Sequence, residues 1–304
     1  MSGATRSPVE RWASRSIDRW AAVSTYQLLF YVMTAFFLVT TLYPVYFLVI
    51  VALTPLGSIQ DMALLPRGFN PGAFVTVFER LPLHLYVFNS VALATISTLI
   101  VLVLASVAGY VFGRLEFPGR RMLLFGLLVI SYFPPASFLT PLFQLFAGNV
   151  EAFGVTSPNL LGTPIPVVGP LSALSLPFAI YILTTFFGQI PDGLEDAARI
   201  EGDTRLGALL KVIAPLSAPG LAATGIIIFI FVYNEFFFSL LMTSGAADEW
   251  SPIVWGILQY QGVNLKPNNL MAAASLVGML PMLLLVLLAQ RKIVSGLTAG
   301  ALKE

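Results

Sequence analysis

The stretch 188-GQIPDGLEDAARIEGDTRLGALLKVIAPLSAP-219 is a polar, helix-compatible island between two long apolar runs. It carries Asp192, Glu195, Asp196, Arg199, Glu201, Asp203, Arg205 and Lys211 in a chain only 10% charged. Pro191 and Gly193 set a turn, and Glu195 and Asp196 fall where a first helical turn favours negative charge. Ala197 and Ala198 give that helix a small-residue face, and Gly202 is expected to end it. Thr204 to Val212 can form a second helix before Pro215. A helix, a glycine hinge and a second helix suit docking into another protein's cleft. A solvated amphipathic loop is the plainer alternative.

What flanks the island decides the fold class. Hydrophobic residues make up 57% of the 304-residue chain, and the mean hydropathy is +0.86. Such values exclude an ordinary soluble domain. With about 20 apolar residues needed per crossing, the sequence predicts an all-α polytopic membrane protein with six spans. They fall at 28–53, 86–112, 122–146, 170–187, 220–242 and 270–289. The apolar run after Arg19 is too long for a signal-peptide core and is expected to stay as an anchor. Pro134 and Pro135 should break the third span, a break tolerated only beside protein or a cavity. Gly148 to Gly169 reads as a rigid, proline-rich loop.

Polar segments complete the organisation. Residues 1–27 hold Arg11, Arg15 and Arg19 at every fourth position, with Trp12 and Trp20 nearby, and read as an interfacial helix. Residues 188–219 form a loop, and 291–304 a basic tail. Of the 16 lysines and arginines, thirteen lie in the N-terminal segment, the 113–121 turn, the 188–219 loop and the tail. By the positive-inside rule these face the cytoplasm, as do both termini.

The sequence offers little for catalysis. It has one histidine, His84, and no cysteine, so an H-E-x-x-H metal site and thiol chemistry are excluded. No lysine follows a glycine, which excludes a G-K-[ST] phosphate loop. The net charge of +1 gives no general case for binding nucleic acid. Glu235, in VYNEFFF, is the one ionisable residue inside a predicted span and is expected to face a cavity or a polar partner. Asn89, Tyr132, Tyr233, Asn234 and Phe236 join it as candidates for lining a substrate pathway, packing between helices being the other reading. Gly109 and Gly113 form a small-xxx-small pair that points to close helix contact.

The segment DAARIEGDTRLGALLKVIAP resembles the EAA motif of ABC-importer permeases. Asp196, Ala197, Ala198, Gly202, Val212, Ala214 and Pro215 stand at the motif's spacing, with Asp for Glu, Val for Ile and Ala for Leu. RLEFPGRR, the Asn89–Ser90 pair, YNEFFFSLLMT and the tail ending GLTAGALKE extend the likeness to carbohydrate-importer permeases of the MalG type over nearly the whole chain.

The resemblance implies the type I (MetI-like) importer permease fold. It further implies a non-enzymatic sugar-transport subunit in the cytoplasmic membrane, paired with a second related permease, two ATPase subunits and an extracytoplasmic sugar-binding protein. No cofactor is implied for this chain, ATP and Mg belonging to the ATPase. Glu195, Asp196, Ala197, Ala198, Arg199, Gly202, Asp203 and Pro215 become the ATPase-contacting surface. Trp250, Trp255, Gln259 and Tyr260 become contacts for the binding protein. An ion-coupled carrier using Glu235, an ABC permease for another small solute and a membrane scaffold are the competing readings.

Overall fold

The computed structural model describes residues 25–61, 64–65, 68–261 and 269–299. The interfacial segment expected at 1–27 lies outside them except for its last three residues, as do Lys266 and residues 300–304.

Four helices are long and apolar enough to cross a bilayer: α1 (Thr25–Leu53), α3 (Leu83–Arg114), α6 (Ile165–Phe187) and the last, α12 (Asn269–Ala299). The short α2 (Ala73–Arg80) lies between the first two. Two further pairs pass the same test only as bent units. α4 (Arg120–Ser131) meets the stretch Pro135–Phe146, which contains α5 (Leu139–Phe146), at 80°. α8 (Arg205–Leu216) meets α9 (Ala218–Tyr233) at 83°. With each bent pair counted once, the described residues give up to six candidate crossings by length and composition.

Proline explains both bends. Pro134 and Pro135 remove two N–H donors at the first. At the second, Pro219 sits in the first turn of α9, where its fixed φ starts a helix but cannot continue one. Pro44 lies inside the continuous α1.

Several boundaries differ from the sequence reading. α6 begins at Ile165 rather than 170, because Pro164 and Pro166 occupy its N-terminal edge, where a missing N–H costs nothing. The loop before it contains a tight two-stranded hairpin, β1 (Glu151–Ala152) with β2 (Val155–Thr156), turned by Phe153 and Gly154 at positive φ. The fifth span does not run unbroken to 242: α9 stops at Tyr233, and α10 (Phe237–Met242) starts after a break. α12 continues past Ala289 to Ala299 instead of closing at Arg291.

The core is a helix stack centred on α3. Its largest partner is α6, followed by α9, and α12 packs against α1 and α9. Gly109 and Gly113 make the α3–α6 approach possible. A Cβ on Gly109 would stand 2.9 Å from the Leu183 Cβ, and one on Gly113 would stand 2.9 Å from the Thr184 carbonyl oxygen. Away from this core the chain is apolar outside as well as inside. Phe30, Phe36 and Phe37 of α1 are about 60% exposed, and α4 and α5 bury no residue fully. Such faces suit lipid or another apolar subunit.

Candidate functional site

The polar island folds into α7 (Asp192–Ile200) and α8. Gly202 stands between them at φ +99°, a conformation side chains rarely adopt, with open space where a Cβ would be. Thr204 caps α8, its hydroxyl oxygen accepting from the Gly207 N–H at 3.1 Å. Lys211 bonds Asp203 across the turn at 2.5 Å. Residues Leu209–Ile213 of α8 are wound as a π-helix.

α7 is held to the membrane helices by its inner face. Glu195 is 7% exposed and accepts two hydrogen bonds from the end of α3. The Tyr110 hydroxyl donates to its Oε1, and Arg114 Nε donates to its Oε2 at 2.9 Å. Tyr110 and Arg114 are one helical turn apart and therefore point the same way. The Arg114 side chain is 3% exposed, and its Nη1 donates to the Ile190 carbonyl at 2.6 Å. That carbonyl lies just past the C-terminus of α6, where cationic donors are favoured. Nη1 also lies 2.9 Å from Asp192 Oδ1. The guanidinium thus joins α3, the end of α6 and the first turn of α7. Burial pushes the Glu195 carboxyl up, but the Tyr110 hydrogen bond and then the Arg114 guanidinium outweigh it, leaving the pKa below its ordinary value.

The outer face of α7 is free of such ties. Asp196, Ala197 and Gly202 are exposed, and the apolar Leu194 and Ile200 are 45% and 86% exposed. Arg199 is exposed too but stands one turn on from Glu195, at the edge of the inner face. The two alanines do not share a face: Ala198 is buried beside Glu195, three residues away, while Ala197 points outward. Asp203 is half-buried and Pro215 exposed.

At the opposite end of α3 a second polar cluster appears. Asn89 is buried and donates through Nδ2 to the Ala247 and Ser251 carbonyls at 2.7 and 3.0 Å. The Ser90 hydroxyl accepts from the Ile253 N–H at 2.8 Å. The Tyr86 hydroxyl donates to the Gly245 carbonyl at 2.8 Å and accepts from Gln259 Nε2 at 2.6 Å. This end of α3 therefore holds the segment 245–259, which includes α11 (Ile253–Leu258). Trp255 donates through Nε1 to the Ser239 carbonyl at 3.2 Å. Tyr260 is buried, its hydroxyl donating to the Val77 carbonyl. Trp250 is half-buried with φ +60°, while Asp248 and Glu249 beside it are exposed.

The remaining sequence candidates are scattered. Tyr233 is buried, its hydroxyl donating to the Gly278 carbonyl at 2.6 Å. Asn234 donates into its own helix at Ile230. Glu235 stands in the break before α10, where its two carboxylate oxygens accept the Phe238 and Ser239 N–H groups, each at 3.0 Å. From the residue before the N-cap, Phe236, its side chain caps the first turn of α10, and the break exists where those bonds form. Phe236 is 38% and Tyr132 87% exposed, the latter at the α4 bend. Among the described residues no group of acidic or histidine side chains is placed to hold a metal ion.

Sequence reading alone singles out neither Tyr110 nor Arg114, the latter lying in the basic 113–121 turn. Their signal is the i, i+4 pairing of a phenol and a guanidinium immediately beside the small pair Gly109 and Gly113, which brings α6 and α7 within reach.

A bundle of apolar helices with prolyl bends, carrying one amphipathic helix clamped on its basic side, defines a polytopic membrane protein. Residues 102–298 match the family model described as "Binding-protein-dependent transport system inner membrane component". The chain belongs to that family and is a multi-pass membrane protein, a transport subunit and not an enzyme in itself.

Its relatives include the sulfoquinovosyl glycerol transport system permease protein SmoH of Agrobacterium fabrum, 35% identical over 81% of this chain and 82% of that one. The trehalose transport system permease protein SugB of Mycobacterium tuberculosis is 36% identical over 86% and 92%. The trehalose/maltose transport system permease protein MalG of Thermococcus litoralis is 37% identical over 76% and 80%. The fold is that of a chain in the crystal structure of a bacterial ABC transporter involved in alginate import. The two agree with a TM-score of 0.69 and 17% identity over 95% of this chain and 99% of that one.

Proposed function

We propose that this chain is one of two related permease subunits of an ABC importer that moves a sugar across the cytoplasmic membrane by alternating access. The basic side is cytosolic, with both termini there. Two ATPase subunits bind ATP and Mg and hydrolyse the nucleotide, and one of them docks on the outer face of α7 through Asp196, Ala197 and the turn at Gly202, with Arg199 at its edge. A solute-binding protein delivers the sugar to the opposite face, where the exposed Asp248 and Glu249 beside Trp250 offer contacts. The sugar class rests on the relatives, whose names specify trehalose, maltose and sulfoquinovosyl glycerol.

The observation that carries this reading is the asymmetry of α7. One face is fixed to α3 by buried charge, and the other presents Leu194, Asp196, Ala197 and Ile200 to solvent. A helix built this way transmits force from a partner into the membrane bundle instead of merely lying on it. Alternating access then requires two rigid arrangements biased by nucleotide, and the bends at Pro134–Pro135 and Ser217 are suitable parts. The capping role of Glu235 supports the importer over an ion-coupled carrier, since both its oxygens are already engaged by backbone donors.

The test is reconstitution of this chain with its second permease, ATPase and binding protein in vesicles. Uptake of radiolabelled trehalose or maltose is expected with MgATP on the ATPase side and not with a proton or sodium gradient alone. Gly202→Asp, at a positive-φ position facing open space, should abolish uptake while the chain still inserts. Gradient-driven uptake without the ATPase would contradict the proposal. ATP-driven uptake of a non-sugar solute alone would replace the substrate class and leave the importer.

A further inference from the structure

We propose that α3 is a strut that ties the ATPase-facing helix α7 to the segment 245–259 on the opposite side of the membrane. Its positioning residues are Tyr110 and Arg114 at one end and Tyr86, Asn89 and Ser90 at the other. The inference rests on the reading that α7 receives the ATPase.

Three observations carry it. At the inner end, Glu195 of α7 takes one bond from Tyr110 and one from Arg114, and all three side chains are largely removed from water. At the other end, three side chains on one and a half turns of α3 hold 245–259. Tyr86 bonds Gly245 and Gln259, Asn89 bonds Ala247 and Ser251, and Ser90 bonds Ile253. α3 is unbroken over all its 32 residues, and Tyr86 and Tyr110 are separated by about 36 Å at the helical rise per residue.

The strut is also held laterally. Gly109 and Gly113 let α3 approach α6 closely, against the Leu183 Cβ and the Thr184 carbonyl, with no room for a side chain of their own. A push on α7 therefore either moves α3 or breaks buried, charge-assisted bonds whose partners have no water to turn to. Moving is the cheaper outcome. The far end of α3 then carries 245–259 with it, because four of the five bonds to this segment go to its backbone carbonyls and N–H groups, Gln259 alone being held through its side chain. The nucleotide state of the ATPase is thus felt at the face where a solute-binding protein would sit, and reciprocally, occupancy there biases α7.

The test uses the assembled complex. The chain has no cysteine, so Asp248→Cys, at an exposed position, gives it a single thiol for a nitroxide label. The spectrum is recorded without nucleotide and after trapping with MgATP and vanadate. A spectral shift on trapping is expected. It should be diminished when Tyr86→Phe and Ser90→Ala are combined, which removes two of the three anchors at the far end, keeps Asn89 and leaves Arg114 and Glu195 untouched, the spectra being compared at equal trapped nucleotide. Should the double variant fail to assemble, Tyr86→Phe alone is expected to diminish the shift. An undiminished shift in the variants overturns the strut, and so does the absence of any shift in the parent complex that traps nucleotide. A parent complex that assembles but traps no nucleotide removes the ATPase reading itself, an outcome read from the nucleotide and not from the label.

Discussion

Arg114 Nε lies 2.9 Å from Glu195 Oε2, joining the last turn of a membrane helix to the first turn of the helix that the polar island forms. The pair is buried at both partners, with side chains 3% and 10% exposed, whereas the second carboxylate on the same guanidinium, Asp192, is 91% exposed. Burial decides which of these ion pairs matters, because a buried charge left alone has no water to replace its partner.

Arg114→Gln should therefore destabilise the protein by about 3 kcal/mol, the low end for breaking a buried pair by removing one partner. Asp192→Asn should change stability by less than about 1 kcal/mol, as expected of an exposed pair. Thermal unfolding of the purified variants in detergent distinguishes the two. Equal losses would show that burial is not the deciding factor.

The pH dependence follows from the direction of the Glu195 shift. Its folded pKa lies below the ordinary value of 4.5, held there against burial by Tyr110, Arg114 and more distantly Arg199. A depressed carboxyl contributes stability that is complete above its unfolded pKa and is lost as pH falls through the folded one. The advantage of the parent over Glu195→Gln should be constant from neutral pH down to about 4.5 and shrink below it. An advantage that grows on acidification would reverse the sign.

Gly113→Ala should force α3 and α6 apart, since its Cβ would meet the Thr184 carbonyl oxygen at 2.9 Å. Overpacking of this kind costs about 1–3 kcal/mol. Gly126→Ala, where nothing lies within 4 Å, should be neutral or slightly stabilising in its helix. Melting temperatures of the two variants give the comparison directly.

Glu235→Gln keeps an acceptor for α10 and should retain ATP-driven uptake, whereas Glu235→Ala leaves the Phe238 and Ser239 N–H groups unmet and should cost about 1–2 kcal/mol. Loss of transport in the glutamine variant at full stability would restore a charge-dependent role for this residue.

Much of the fold could be read from hydrophobic length alone, because a run such as Leu28–Leu53 has no other stable environment. Proline placement was legible too: Pro134 and Pro135 stand at the 80° bend. What eluded the sequence were features that depend on partners distant in the chain. Glu235 looks like an isolated acid in an apolar span until the helix break places two N–H groups on it. Asn89 looks like a pathway residue until the 245–259 segment folds back 158 residues away to accept its amide. Glu195 and Asp196 are adjacent and chemically alike, and only the helix phase relative to α3 sends one inward and the other out.

That division of labour gives the most direct test. In the otherwise cysteine-free chain, Ala197→Cys and Ala198→Cys can each be offered to the assembled ATPase with a short bifunctional thiol reagent. The account predicts that the exposed position 197 cross-links to the ATPase subunit and that the buried position 198 does not. Cross-linking from neither site, or equally from both, would contradict the claim that the outer face of α7 is where the ATPase engages.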